Sequence, residues 1–477
     1  LVTLVTGSAA AVAQAYNSIG ISGLGNEAVT LSGTTAADSD LNSIDTDTSG
    51  AITATSVTLV TGTAATVTAA LQATGISGLS DPAVTIYDAT LAATVLNTLN
   101  ALTTGEINAG TVTTLTGTAA EVTATYGASG ITGLGNEALT LSDTSLAASA
   151  LNTLDGYTSG AVDVSLVTLV SGSAAAVAQA YNSTGITGLG DEAVTLTGTE
   201  AAASDLNSID TDTNGAINAS TVTLVTGSAA DVTASLLSEQ ITGLGNEAVT
   251  LNDTSLSYAE LNAVDGLTSG LIDASTVTTL TGRSTRLDDL YASDGITGLG
   301  NEALTVSETE SYASNILALD ALTTGLISVS TGEVGATVAE AAALYATSGI
   351  TGLSATTLRL LDNSVAASAL NALDGLNTGT IDAINVTTLT GSAADVTTSY
   401  NASGITNLGN EAVTLDDTSL AATALNALNA LTLGAIDAGS VLTLTGTAAE
   451  VTATYGATGL TGLGNEAVTL SDTSLAA

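Results

Sequence analysis

The stretch GITGLGNEALTLSDTSLAASALNTLDG, residues 130–156, recurs along almost the whole chain, and its tag Gly-Leu-Gly-Asn-Glu-Ala marks the copies. The leucine position of the tag falls at Leu24, Leu79, Leu134, Leu189, Leu244, Leu299, Leu353, Leu408 and Leu463. These positions are evenly spaced, except that the step from Leu299 to Leu353 is one residue shorter. A regular period of about 55 residues is typical of a solenoid, in which each unit buries its apolar side only against its neighbours.

Each 55-residue unit consists of two related halves. Leu115, Leu141 and Val170 hold equivalent positions and lie 26 and then 29 residues apart, so one coil has about 27 residues. Each half begins with a β-rich run that ends at Gly or Asp, and a helical pattern follows. Thr118 and Glu121 have the spacing of a capping box, which predicts the start of a helix at this point.

The helical pattern of the other half covers residues 145–155, where Ala147, Ala150, Leu151 and Leu154 recur at spacings of three and four and predict one buried face. We therefore predict an α/β fold, a right-handed repeat solenoid with a strand, a short helix and a short strand in each coil. The strands should stack into a long parallel sheet with the helices alongside. Strands stack about 4.8 Å apart, whereas packed helices need about 8 to 10 Å, so this mismatch must be relieved.

The composition limits the function. The 477 residues contain no Cys, Met, Trp, Phe, His or Lys, and 3 arginines face 46 acidic residues, which gives a net charge of −43. The apolar fraction of 45 % nevertheless indicates a folded chain with a core of Ala, Val, Leu and Ile. Without His, Cys or Lys the commonest catalytic groups are missing, so we expect no enzyme. The charge excludes nucleic acid as a partner, and no apolar run is long enough to span a membrane.

The pattern predicts one continuous solenoid of about 8.5 units over residues 1–477, without separate domains. Both ends fall inside a repeat and neither carries a polar cap, so we expect the chain to be a piece of a longer one. The predicted partners follow from this. They are further repeats in covalent continuation, or other copies in end-to-end or lateral self-association, together with divalent cations.

Four columns of polar residues recur with the unit. The tyrosine column is Tyr16, Tyr126, Tyr181, Tyr291, Tyr345, Tyr400 and Tyr455, with Leu71 and Leu236 in the two gaps. The asparagine column is Asn42, Asn97, Asn152, Asn207, Asn262, Asn371 and Asn426, interrupted by Leu317. The first acid column is Glu27, Glu137, Glu192, Glu247, Glu302, Glu411 and Glu466. The second is Asp88, Asp143, Asp253, Glu308, Asp362, Asp417 and Asp472.

Each column has a structural and a functional interpretation. An aromatic row could bind sugar rings, but the exchange of tyrosine with leucine favours a half-buried packing position. The asparagines are expected to hydrogen-bond backbone groups of adjacent coils. For the acids two interpretations stay open: they cap helices and keep the surface soluble, or they hold calcium that relieves the repulsion between like charges about 10 Å apart.

The string Asp210-Thr211-Asp212-Thr213-Asn214-Gly215, with its copy at positions 45–50, resembles the first half of an EF-hand calcium loop. We therefore predict calcium as a cofactor, with Asp45, Asp47, Asp210, Asp212 and Asn214 as candidate ligands. The twelfth position, where an EF-hand has a bidentate glutamate, is Ser56 in one copy and Thr221 in the other. Elsewhere the only local anomaly is residues 283–289, with two arginines and two aspartates, which we interpret as a surface ion-pair cluster.

Two functions from different classes fit this sequence. Residues 130–148, and LNTLDG followed by TSG at 151–160, resemble the long acidic Thr/Ala/Gly-rich repeats of giant cell-surface and motility-associated proteins of cyanobacteria. The resemblance covers essentially the whole chain and implies an extracellular location and calcium, without assigning any residue. The first function is thus a structural segment of an extracellular fibre, surface layer or adhesin stalk. The alternative is a binding module that presents a flat threonine-rich face to polysaccharide or ice, although Leu59 and Leu169 interrupt the row of Thr114.

Overall fold

The computed structural model describes residues 1–474, which form two compact units. The first comprises Leu1–Thr226 with Ala234–Glu247, and the second comprises Gly227–Thr233 with the chain from Ala248 onward. The repeat is present in both, and the prediction of one continuous solenoid stays a prediction.

The described residues contain 17 helices of eight to ten residues, none of them long and apolar enough to cross a membrane. They are α1 Ala9–Tyr16, α2 Asp38–Asp47, α3 Ala64–Gln72, α4 Ala93–Asn100, α5 Ala119–Gly127, α6 Ala148–Asp155, α7 Ala174–Asn182, α8 Ala203–Asp212, α9 Ala229–Leu237, α10 Tyr258–Asp265, α11 Ser284–Ala292, α12 Ala313–Asp320, α13 Val338–Ala346, α14 Ala367–Asp374, α15 Ala393–Asn401, α16 Ala422–Asn429 and α17 Ala448–Gly456.

The strands between the helices are short. Those up to the middle of the chain are β1 Leu4–Gly7, β2 Ala28–Leu31, β3 Thr35–Ala37, β4 Ile52–Thr53, β5 Leu59–Gly62, β6 Ile76–Ser77, β7 Ala83–Ile86, β8 Thr90–Ala92, β9 Ile107–Asn108, β10 Thr114–Gly117, β11 Ile131–Thr132, β12 Ala138–Leu141, β13 Ser145–Ala147, β14 Val162–Asp163, β15 Leu169–Gly172, β16 Ile186–Thr187, β17 Ala193–Leu196, β18 Glu200–Ala202, β19 Ile217–Asn218, β20 Leu224–Gly227 and β21 Ile241–Thr242.

The strands of the remaining part are β22 Ala248–Leu251, β23 Ser255–Ser257, β24 Ile272–Asp273, β25 Thr279–Gly282, β26 Ile296–Thr297, β27 Ala303–Tyr312, β28 Ile327–Ala336, β29 Ile350–Thr351, β30 Thr357–Leu360, β31 Ser364–Ala366, β32 Ile381–Asp382, β33 Thr388–Gly391, β34 Ile405–Thr406, β35 Ala412–Leu415, β36 Ser419–Ala421, β37 Ile436–Asp437, β38 Thr443–Gly446, β39 Leu460–Thr461 and β40 Ala467–Leu470.

The helices follow the two unequal halves of the unit. The helices α5, α6 and α7 begin at positions 119, 148 and 174, so a longer step between helix starts alternates with a shorter one. The step from α12 to α13, which begin at positions 313 and 338, is one residue shorter still and accounts for the shortened interval of the tag. Strands and helices alternate throughout, and the strands pair in parallel, so the predicted α/β repeat solenoid is confirmed.

The strands form a series of short parallel sheets where we expected one long sheet. In the first unit their strand orders are β1-β2-β4-β6, β3-β5-β7-β9-β11, β8-β10-β12-β14-β16 and β13-β15-β17-β19-β21. In the second unit, sheets of this kind include β31-β33-β35-β37-β39 and β36-β38-β40. Outside the eight-stranded sheet described below, a new sheet therefore begins once in each 55-residue unit.

The short sheets follow from the pairing register. Leu91 pairs with Leu115, Leu115 with Leu139, and Leu139 with Val162, and these steps are shorter than the average step between helix starts. On average, each step therefore shifts the pairing by about four residues relative to the repeat. A further step of the same length beyond β16 would fall inside α8, and a step back from β8 would fall inside α3. The register thus limits each sheet, and helices bound it at both ends.

The core is a set of in-register apolar ladders covered by the helices. Leu115 and Leu139 face inward from neighbouring strands and are fully buried. The helix α6 adds Ala148, Leu151 and Leu154, all with no exposed surface. Most of the helices begin with an alanine, which lets them lie close to the strands and is one way to relieve the spacing mismatch predicted from the sequence.

The predicted helix over residues 145–155 is wrong at its start. Ser145–Ala147 is strand β13, which pairs with β15, and the helix begins only at Ala148. As a result Leu146 is buried from the strand, Ala147 is exposed, and the inward helical face begins one residue later than the pattern indicated. Pairing with a neighbouring strand outweighs the local helical spacing here.

One part of the second unit departs from the repeat. The strands β27 and β28 are each ten residues long and belong to an eight-stranded sheet, β23-β25-β27-β28-β30-β32-β34 with β29 paired to β28 at its side. An ordinary unit has a turn between its short strands, in which the Val277 N–H donates to the Ala274 carbonyl at 2.9 Å. The residue missing from the shortened interval removes this turn, so β28 runs straight and two sheets join.

Candidate functional site

The tyrosine column and the first acid column meet in one recurring hydrogen-bonded pair. The Tyr181 hydroxyl donates to Glu192 Oε2 at 2.9 Å, and the Gly190 N–H donates to the same oxygen at 2.8 Å. Glu192 is 4 % exposed, and burial, together with the nearby carboxylate, raises the pKa of Tyr181. The other pairs are Tyr126–Glu137, Tyr291–Glu302, Tyr400–Glu411 and Tyr455–Glu466. The pair fastens the Gly-Leu-Gly loop to the end of the preceding helix.

The two columns change together at only one of the two leucines, since Leu236 is followed by Glu247 in the position of the glutamate. Where Leu71 replaces the tyrosine, Pro82 stands in the position of the glutamate. Tyr345 belongs to a unit with Thr356 in that position, and its hydroxyl donates to the Leu353 carbonyl at 3.3 Å instead. The interpretation of the tyrosines as half-buried packing residues is confirmed for these pairs, since most of their rings are part-buried and their hydroxyls bond within the fold.

The second acid column caps helices, as one of the two interpretations predicted. Asp143 Oδ2 accepts the N–H of Ala119, the first residue of α5, at 2.8 Å. The same kind of bond joins Asp88 to Ala64, Asp253 to Ala229, Glu308 to Ser284, Asp362 to Val338, Asp417 to Ala393 and Asp472 to Ala448. The N–H groups of a first helical turn have no partner inside the helix. Because the acid belongs to the coil after the helix that it caps, each cap also joins two successive coils.

The asparagine column bonds to the next coil, as predicted. Asn371 Nδ2 donates to the Asp395 carbonyl at 2.9 Å, and its Oδ1 accepts from the Ser399 hydroxyl at 2.7 Å. The amide donates in the same way from Asn42 to Thr66, Asn97 to Glu121, Asn152 to Ala176 and Asn426 to Glu450. The predicted capping box of Thr118 and Glu121 is also present.

The candidate calcium ligands of the first copy lie on a helix. Asp45 and Asp47 belong to the last turn of α2. Residues two apart on a helix do not face each other. The Ser43 hydroxyl donates to Asp47 Oδ2 at 3.1 Å, whereas Asp45 lies against the backbone of Gly75 in the next coil. The structure thus places these two carboxylates apart.

The second copy has the same arrangement. Asp210 and Asp212 lie in the last turn of α8, and Asn214 follows the helix. Asp210 Oδ1 accepts from the Ser238 hydroxyl at 2.7 Å, and Asn214 Nδ2 donates to Asp191 Oδ1 at 2.9 Å. The open loop of an EF-hand is not formed, and residues 1–474 contain no group of three or more acids placed to hold a metal ion. Calcium binding stays a prediction, and the candidate ligands of the two copies are not arranged as in an EF-hand loop.

Sequence reasoning missed the role of one arginine. Arg359, on β30, forms ion pairs with both Glu310 of β27 and Glu333 of β28. The two glutamates are directly paired across their strands. Hydrogen bonds with Glu333, Tyr312 and Glu310 raise the pKa of Arg359 further above its usual value. The signal in the sequence was an acid at each of two paired positions that most other units fill with Ser, Thr or Leu.

The outer side of these sheets carries an in-register row of hydroxyls, which one Asp or Asn interrupts. Thr116 pairs with Thr140, Thr140 with Asp163, and Asp163 with Thr187. The corresponding row one unit earlier is Thr61, Thr85, Asn108 and Thr132. The sequence had placed the row at Thr114, where Leu59 and Leu169 interrupt it. The row at Thr116 keeps a hydroxyl in both neighbouring units.

The sequence matches no protein-family model, and comparison with curated proteins finds no similar sequence.

Proposed function

We propose that this chain is a structural segment of a large extracellular fibre, surface layer or adhesin stalk, without catalytic activity. The observation that carries the proposal is that the recurring polar side chains form hydrogen bonds within the fold. Glu192, Asp143 and Asn371 represent three columns whose side chains hydrogen-bond within the fold, and two of these columns join successive coils. A ligand-binding repeat would leave such groups facing a cleft. Here they hold the coils together.

Electron microscopy of the native material, with antibodies against this chain, tests the proposal. We expect label along fibres or within a layer outside the cell. Label confined to the cell interior, or to isolated particles that neither extend nor associate, would contradict it. A matched pair of variants links assembly to the coil contacts. Asp143→Ala removes a cap between coils and should lower the urea concentration that dissolves the fibres, whereas Ser142→Ala, at the exposed neighbouring position, should leave it unchanged.

Stabilisation by divalent cations is a second part of the proposal. The net charge of −43 makes the folded chain repel itself, and divalent ions relieve such repulsion better than monovalent ions. The melting temperature should rise with calcium and fall with chelator at fixed ionic strength. An unchanged melt would rule out a structural ion.

The hydroxyl row supports one alternative function, a binding face for polysaccharide or ice. The row of Thr116, Thr140, Asp163 and Thr187 follows strands that stack at about 4.8 Å, which gives a regular lattice of polar groups, three of them hydroxyls. Thermal hysteresis or glycan pull-down by the purified chain would favour this alternative. Thr140→Val should then reduce binding, while an exchange on the helix side, Thr153→Val, should not. Neither activity is expected of a scaffold alone.

A further inference from the structure

A groove of about 440 Å³ lies beside the starts of α10 and α11 in the second unit. We call it the arginine groove and define it by Ser257, Tyr258, Thr281, Arg283, Arg286 and Ser307. Its volume is in the range of small-ligand sites. Two of the three arginines of a chain that is otherwise almost entirely acidic lie along this groove.

The arginine groove exists because three positions depart from the repeat. Tyr258 stands at the first helical position, where most other units have alanine. Arg283 replaces the serine or threonine that caps the helix, and no side-chain cap is formed there. Arg286 takes the place of the Glu121 type of residue in the capping box. A helix start that in most other units carries an acid thus has two guanidinium groups and an aromatic ring beside it.

The arginines are open to a ligand. Arg283 is exposed, and no carboxylate among residues 1–474 lies within ion-pair distance of it. Arg286 makes one ion pair, to Asp289 at 3.4 Å, with 59 % of its side chain exposed. A guanidinium has five N–H donors, so this single long contact leaves most of them free. The predicted ion-pair cluster therefore accounts for only one of the two arginines.

The other carboxylates near the groove have partners of their own. Glu260 accepts from the N–H and hydroxyl of Ser257 at 2.7 and 2.8 Å. Glu308 accepts from the N–H and hydroxyl of Ser284 at 3.1 and 2.7 Å. Both acids are thus turned toward helix starts and are not positioned to neutralise Arg283.

The aromatic wall of the groove suits a ring-shaped ligand. The Arg286 guanidinium carbon lies 5.9 Å from the centroid of the Tyr258 ring. The Tyr258 hydroxyl donates to Asn262 Oδ1 at 3.1 Å, which fixes the ring. Sugar C–H groups pack against such rings, and hydroxyls such as that of Thr281 can bond to sugar hydroxyls.

We infer that the arginine groove binds the carboxylate of a short acidic saccharide, with Arg283 and Arg286 on the carboxylate and Tyr258 against the sugar ring. Charge selects this ligand over two others. Without divalent cations, an acidic side chain of a second copy would bring a further net charge of −43, and nucleic acid would bring many phosphates, so both would be repelled by the rest of the chain. A short hexuronate oligomer brings only a few charges. The inference is independent of the proposed scaffold function.

Calorimetric titration of the purified chain with trigalacturonic acid tests the inference, with the neutral trisaccharide maltotriose as the ligand control. We expect a Kd of about 1 mM or tighter for the acid, because two charge-assisted contacts supply roughly that affinity, and no binding of maltotriose. Arg283→Thr restores the capping residue of other units, so the variant should melt at a higher temperature and still bind at least about tenfold more weakly. Arg359→Gln removes the same charge elsewhere and should bind as the original does.

Four results would overturn the inference. They are no heat of binding at millimolar trigalacturonic acid, equal binding of maltotriose, equal affinity of the Arg283→Thr variant, or loss of affinity with Arg359→Gln as large as with Arg283→Thr. Sedimentation of the two arginine variants tests the remaining partner. Self-association that disappears only in Arg283→Thr would assign the groove to a second copy of the chain, and would likewise overturn the saccharide.

Discussion

The pairing of Tyr181 with Glu192 makes a quantitative prediction. Tyr181→Phe removes one hydrogen bond to a carboxylate that is only 4 % exposed, so water can hardly replace it. A hydrogen bond to a charged group contributes about 1.5 to 3 kcal/mol, and we expect a loss of about 2 kcal/mol in the local free energy of opening. The Gly190 N–H remains bonded to the carboxylate, so the loop should loosen without unfolding.

Native-state hydrogen exchange measures this loss at the right place. A loss of about 2 kcal/mol lowers the protection of the Gly190 amide and of strand β17 by a factor of about 30. Local exchange is preferable to a melt because units of a repeat protein need not open together. Glu192→Gln and the double variant complete a cycle, in which we expect a coupling of about 1.5 kcal/mol between the two side chains.

Tyr345→Phe is the matched control. The Tyr345 hydroxyl donates to a neutral carbonyl, that of Leu353, at 3.3 Å, so its loss should cost only about 0.5 to 1 kcal/mol. Equal losses of protection in the two variants, or a coupling below about 0.5 kcal/mol, would refute the assignment of the carboxylate as the stabilising partner.

Three further predictions concern other contacts. Gly215→Ala would place a Cβ against the Glu192 carbonyl of the previous coil, so the free energy of unfolding measured in urea should fall by about 3 kcal/mol or more. Gly127→Ala has open space around the new Cβ and should leave that free energy unchanged or raise it. Backbone N–H donors, first that of Gly25, lower the pKa of Glu27, so the stability that this carboxylate contributes is fully present above the usual pKa near 4.3 and is lost as pH falls through the lowered pKa. The difference in free energy of unfolding between the protein and Glu27→Gln should therefore vanish below that lowered pKa. A difference that stays constant with pH would contradict this prediction. Arg359→Gln leaves two acids opposite each other and should cost about 1 to 2 kcal/mol at low salt, which a second neutral substitution at one acid should largely recover.

The sequence predicted those features that depend on local chemistry and regular spacing. The capping box at Thr118, the bonding of Asn371 to the next coil and the alternation of a shorter and a longer half all rest on patterns that one unit repeats unchanged. A capping role for acids such as Asp143 was predicted, but the helix that Asp143 caps, α5, belongs to the preceding coil. Spacing along the chain does not say which coil supplies the partner.

The features that were missed depend on contacts between coils. Leu146 extends a helical pattern, but a neighbouring strand draws it into β13. The pairing register has no signature in one unit, so the division into short sheets could not be foreseen. For Arg359 and Arg283 the sequence did carry a signal, but not its meaning. Their departure from the repeat was visible, yet only the structure shows that one arginine is enclosed by acids and the other is open.

The difference in length between the pairing step and the coil has a mechanical consequence. In the first unit, the sheet over residues 35–132 and the sheet over residues 90–187 overlap from position 90 to position 132, where the earlier one ends. The ends of successive sheets are thus staggered along the chain, so a separation of strands at the end of one sheet would meet the paired strands in the middle of the next. Under tension, this part of the first unit should therefore resist splitting at the end of a single sheet.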